Sequence, residues 1–196
     1  MQKPNNYDDT QVSGSFTPVE LGGHICTIKK VAERKNKNNG DMVVVLYDFA
    51  TSDKQSGYFM KSFKDDIRPD KKWPHAGTAY INVEDGAGKC SKAFKTFITS
   101  VEASNKGFVT KWGEDFCSQF AGKTIGAVFG EVENEYNGKV TMRHERRWFC
   151  SADAAKEAAI PDPKYLNGNA PKKEAPKPAA SSFMDVSSDD EEIPFD

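Results

Sequence analysis

The sequence lacks a long apolar run. Hydrophobic residues make up 37% of its 196 positions, and no stretch approaches the ~18–20 apolar residues of a membrane-spanning helix. No membrane association is therefore expected. The first 20 residues lack a basic start followed by an apolar stretch, so no secretory leader is expected and the cytoplasm is the expected compartment. No C-x-x-C pair occurs among the cysteines at 26, 90, 117 and 150. Neither His24 with Cys26 nor His144 with Cys150 has the usual spacing of a zinc site. The thiols read as reduced and packed, and neither a metal nor another cofactor is expected. Gly122-Lys123-Thr124 lacks the glycine that a phosphate-binding loop carries five residues earlier, where Cys117 stands. Its surroundings, a helical stretch before and a strand after, are also the reverse of that motif. No nucleophile elbow or Ser/His/Asp order is present. Asp65 and Asp66, beside Arg68, point to opposite faces of an extended chain and make a poor metal clamp. The chain reads as a non-enzyme.

Net charge is small, −2, but unevenly placed. Residues 24–150 carry 21 Lys and Arg against 16 Asp and Glu, whereas residues 161–196 carry 4 Lys against 8 acids. A basic core suggests an anionic partner, and the acidic remainder a separate task. Of 22 aromatic residues 19 precede position 161, while six of the 10 prolines follow position 160. Only the first part can build a core that offsets its ordering entropy. The divisions expected are a polar N-terminal arm over 1–20, a core over 21–160, a flexible linker over 161–188 and an acidic tip over 189–196. No internal repeat is present.

Within the core, residues 24–33 read as a strand ended by a polar turn at Asn39-Gly40. Residues 42–50, with three consecutive valines, read as the strongest strand. Residues 57–64 (GYFMKSFK) read as a third, residues 68–76 as a proline-containing loop, and residues 78–83 as a short strand. The period then changes: Phe94, Phe97, Ile98 and Val101 lie on one helix face. Residues 115–120 read as a short helical turn. Residues 123–133 and 139–149 flank Asn137-Gly138, a hairpin turn dipeptide, and residues 152–160 favour a final short helix. The fold class expected is mainly β: an OB-fold-like five-stranded antiparallel barrel with one main α-helix between strands 3 and 4, followed by a disordered acidic tail. A ferredoxin-like fold needs a helix between the first two strands, and the eight polar residues there are too few.

Cations stand beside aromatics at several points. Lys71-Lys72-Trp73 and Arg146-Arg147-Trp148 each set two cations against an indole, and Tyr58, Lys61, Phe63 and Lys64 interleave. Single-stranded nucleic acid is bound by this chemistry, with cations following phosphates and aromatic faces stacking on bases. Arg68 and Arg143 complete the candidate set. Trp73, in a proline-flanked loop beside two lysines, is the best stacking candidate. Strand alternation places Trp148 on the face of Arg146 and His144. Half of these aromatics are expected in the core, because one sheet face must be buried.

Residues 189–196 read Asp189-Asp190-Glu191-Glu192-Ile193-Pro194-Phe195-Asp196. A tail that only solubilises has no use for Ile and Phe. These two fit an apolar pocket on a partner while the acids meet a cationic rim, and Pro194 lowers the ordering cost. This tip resembles that of bacterial and phage-encoded single-stranded DNA-binding proteins, which typically ends Asp-Asp-Asp-Ile-Pro-Phe. One residue departs: Asp196 follows Phe195, so Phe195 has no free α-carboxylate. The resemblance implies a protein that coats single-stranded DNA with little sequence specificity in replication, recombination or repair. It also implies that the tip recruits partner enzymes, that the setting is a bacterial host cell, and that the protein is often a homo-oligomer. Two alternatives stay open: an adaptor whose core binds protein, and a strand-annealing recombination protein.

Overall fold

A computed structural model of the chain describes residues 2–5, 7–8 and 17–166. Five antiparallel strands form one sheet: β1 (Gly22–Lys35), β2 (Asp41–Phe49), β3 (Thr78–Asn82), β4 (Thr124–Tyr136) and β5 (Lys139–Cys150), in the spatial order β3-β2-β1-β4-β5. The main helix, α2 (Lys92–Ser104), lies between β3 and β4 in the chain. Among the described residues no ladder joins β3 to β5, so the barrel stays open along that seam.

Alternation explains the core. β1 turns Cys26, Ile28 and Val31 inward, β2 turns Val43, Val45, Tyr47 and Phe49, and β3 turns Ala79 and Ile81. α2 closes one end with Phe94, Phe97, Ile98 and Val101, the four residues whose spacing predicts the helix. Full burial of each such side chain contributes about 1.5–3 kcal/mol. The Ser91 side chain caps the helix by accepting the Phe94 amide at 3.1 Å. A short α3 (Ala152–Lys156) packs on β1 and β4. Glycine permits that contact: a Cβ at Gly23 would lie 1.7 Å from the Ala155 carbonyl oxygen, and one at Gly126 2.4 Å from that of Ser151.

Residues 57–64, expected as a strand, are instead the helix α1 (Tyr58–Asp65). The reason lies outside the segment. The buried Asp48 carboxylate, on β2, accepts the amides of Phe59 at 2.9 Å and Met60 at 3.3 Å, satisfying orphan donors of the first turn. Gly57, at φ +68°, supplies the left-handed turn that starts it. Phe59 and Phe63 would share a face of a strand, but they are also four apart and so share a helix face.

Two further segments pack on this body. Residues 17–20 cross from α1 to β5: Tyr58 donates its hydroxyl to the Thr17 carbonyl at 2.7 Å, and His144 Nδ1 meets the Val19 carbonyl. Lys164 pairs in parallel with Val132, and the Leu166 amide donates to Glu133 at 3.0 Å. The chain thus stays bonded to β4 for several residues beyond position 160.

Candidate nucleic-acid interface

The register of the first three strands assembles one outward face. Lys30 lies beside Leu46 and Thr78, Ala32 beside Val44 and Tyr80, and Arg34 beside Met42 and Asn82. Strands lie about 4.8 Å apart, so a cationic row, an apolar row and a row carrying an aromatic ring run side by side. Tyr80 is 57% exposed, although Ala79 and Ile81 on either side of it are buried. The connection between β1 and β2 extends the face with Lys37. It is held in shape by Asn36, whose side-chain oxygen accepts the amides of Asn38 and Gly40, each at 2.9 Å.

At the far end of β2 the face runs into a concavity of about 580 Å³, lined among others by Thr27, Lys29, Phe49, Met60, Lys61 and Lys64. The Asp48 carboxylate also lines it, but its oxygens are engaged by the amides that start α1. Of the residues predicted to bind nucleic acid, Lys61 and Lys64 reach this face. The helical form of α1 is what separates Lys61 from Phe59, with which it would share a strand face.

The other predicted residues form two groups, around α1 and on β5, which meet where Tyr58 and Arg143 line one cavity of about 400 Å³. Around α1, Phe63 packs 5.6 Å from Trp73 with Lys71 held 4.9 Å over its ring, and Lys72 is exposed. Trp73 is partly buried, and its indole donates inward to the Gly77 carbonyl at 3.0 Å and the Tyr47 carbonyl at 3.3 Å. Tyr58 is held at Thr17, and burial raises its phenol pKa. Arg68 is tied to Asp66, with Nε 2.9 Å and Nη2 2.6 Å from the carboxylate oxygens. These bonds hold the Asp66 carboxyl down at about 2.

The third group lies on β5, where a bulge changes the faces. Val128 pairs with Trp148 but Phe129 pairs with Arg146, leaving Arg147 unpaired. Arg146 consequently turns inward, its guanidinium 4.4 Å from the Phe149 ring centre. Trp148 points out, 41% exposed. The expectation that Trp148 shares a face with Arg146 and His144 is therefore overturned: an extra residue inverts alternation beyond it. Arg147 donates to the Asp162 carbonyl at 2.8 Å, and Arg143 stays exposed opposite Val132. The residues from Asp189 to Asp196 lie outside the described residues.

His24 and Cys26, weighed as metal ligands, are buried on β1. His24 stacks 4.2 Å from Phe49, with Nδ1 3.0 Å from Asp53 and Nε2 3.0 Å from the Glu20 carbonyl. Burial works to raise the Asp53 pKa, but hydrogen bonds from His24 and from the Gln55 and Ile25 amides outweigh it and leave the carboxyl below its ordinary value. Burial pushes the Cys26 and Cys150 thiols up, away from the reactive thiolate form.

Sequence reasoning missed Lys29, Lys30, Arg34 and Tyr80. The signal was present: in residues 42–49 the inward set Val43, Val45, Tyr47 and Phe49 leaves Met42, Val44 and Leu46 outward. That is an unusually apolar outer face for an antiparallel sheet, on which Val44 is itself buried. No protein-family model matches the chain, and no curated protein matches it.

Proposed function

We propose that the chain is a non-enzymatic single-stranded DNA-binding protein that holds the strand across the outer face of β1, β2 and β3. One observation carries this reading: an exposed Tyr80 and an apolar strip, edged by Lys30 and Arg34, on the second and third strands of an OB-like sheet. Oligonucleotides bind OB-folds on that face. Phosphates and base faces are common to all sequences, so coating with little sequence preference follows. The acidic tip, by its resemblance, recruits replication, recombination or repair enzymes in a bacterial cytoplasm, and assembly into homo-oligomers belongs to the same reading.

The test is fluorescence anisotropy with a labelled oligo-dT and a matched duplex over a salt series. Tight single-strand binding with weaker duplex binding, and a log–log salt slope of several units, is expected. Deleting residues 187–196 is expected to abolish partner capture while preserving or tightening binding to dT. Absence of dT binding at low salt, with the tip present and with it removed, overturns the reading.

The adaptor reading has one observation in its favour. Trp112 is 69% exposed, stacks 5.2 Å from Phe116, and fronts an apolar groove with Val83, Phe94 and Ile98. Exposed aromatics of this kind anchor protein interfaces. An adaptor would show no salt-sensitive affinity for DNA.

A further inference from the structure

The open seam between β3 and β5 contains a cation, Arg146, that makes no ion pair among the described residues. Arg146 lies over Phe149, its Nε is shielded from solvent, and among the described residues that Nε has no acceptor. Its buried polar neighbour is Tyr47, whose hydroxyl donates to the Ala76 carbonyl at 2.7 Å. Burial pushes the Tyr47 phenol far up, and the positive charge of Arg146, together with a hydrogen bond from its side chain, pulls it part of the way back. A shielded N–H without an acceptor is costly. The residue as a whole is only partly buried, so Arg146 has donors left to serve a ligand.

The surroundings say which kind. Arg146 lines a cavity of about 180 Å³ together with His75, Ala76, Thr78, Tyr80 and Glu145. The cavity therefore adjoins the exposed ring of Tyr80, on the face assigned to the strand. A guanidinium presents its donors as a planar fork that matches phosphate oxygens. A partly sheltered site also makes such a pair stronger, and less screened by salt, than one on the open surface. We propose that the β3–β5 seam is a phosphate subsite, in which Arg146 binds one phosphodiester of a bound single strand whose neighbouring base stacks on Tyr80. This rests on the single-strand reading above. Glu145 is the one acid on the lining, and its charge opposes a phosphate there.

The experiment uses the full chain and Arg146→Met, with two probes: inorganic pyrophosphate in a thermal-shift series, and oligo-dT in a salt series. Pyrophosphate is expected to raise the melting temperature of the wild type and not of the variant. Without ligand the variant is expected to melt at the same temperature or higher, because a shielded N–H with no acceptor among the described residues is removed. Its dT affinity is expected to fall about 10- to 100-fold, the effect of one charged hydrogen-bonded contact. Its salt slope is expected to drop by about 0.7. Glu145→Gln is expected to bind both probes more tightly. A variant that melts lower yet keeps the pyrophosphate shift overturns the proposal and makes Arg146 an internal strut. Should Arg146→Met fail to fold, the Arg146 Nε–Hε resonance of the wild type decides: a shift on adding pyrophosphate supports the subsite, and none overturns it. A wild type that answers to pyrophosphate but ignores dT sinks the single-strand reading alone; binding to dT with no response at Arg146 sinks the subsite alone.

Discussion

β1 and β5 each carry one bulge beside a cation, and the two bulges do opposite things. In β1 the register breaks between Ile28 and Lys30. Beyond the break Lys30 and Arg34 stay on the solvent side, and Val31 returns to the core. In β5 the break falls at Arg147, and Arg146 is turned inward while Trp148 is turned out. The device is the same, one extra residue that inverts alternation. What differs is the residue on the inward side. In β1 the inward residues flanking the bulge, Ile28 and Val31, are both apolar, so the sequence spacing itself changes from two to three. In β5 they are Arg146 and Phe149. The polar member hides the change, and alternation seems to run on unbroken. A bulge is legible when both its inward neighbours are apolar, and silent when one of them is charged.

Neighbouring residues of β5 give the largest test of this comparison. Phe149→Ala is expected to cost about 3–5 kcal/mol, and Trp148→Ala less than about 1 kcal/mol, in urea unfolding. The opposite order would move the bulge. The outer face of β3 comes next. Tyr80→Ala is expected to weaken dT binding by about 1–3 kcal/mol with little loss of stability. Trp73→Ala, which breaks inward hydrogen bonds, is expected to lower stability and leave the affinity of the folded fraction nearly intact. Equal losses of affinity from the two variants would erase the distinction between face and interior.

Smaller effects sharpen the β1 side. The Asp53 carboxyl is depressed by its hydrogen bonds, so its contribution is present above the ordinary carboxylate value of 3.8 and is lost as pH falls through its lower folded value. Asp53→Asn should flatten the acid limb of a stability–pH profile below about pH 4 and leave the neutral range parallel to wild type. Smallest of all, Lys30→Ala and Arg34→Ala should each reduce the log–log salt slope of dT binding by about 0.7. Unchanged slopes would remove the β1 row from the strand's path.

Much of the fold was readable because its periods are strong. Four apolar positions specify α2, the run of valines specifies β2, and Asn137-Gly138 specifies the β4–β5 hairpin, where Asn137 and Gly138 take φ of 51° and 74°. The α1 segment was not readable. Its aromatics fit both periods, and the carboxylate that selects the helix comes from β2. The candidate site was readable only in part. Of the candidates named from cations beside aromatics, Lys61 and Lys64 line the concavity beside β2, whereas Trp73 turns its indole N–H inward. Tyr80 carries no local mark, because its exposure depends on how β3 pairs with β2.

By itself the sequence determined a mainly β core with one principal helix, a basic middle, and an acidic remainder with Ile193, Pro194 and Phe195 among its acids. Composition, spacing and turn dipeptides are local properties, and no folded neighbour is needed to read them. Only the tertiary structure decided which cations share a surface, which indole turns inward, and that Arg146 sits in a seam beside Tyr80. Those outcomes depend on register and on bulges, which are set when strands distant in sequence exchange hydrogen bonds.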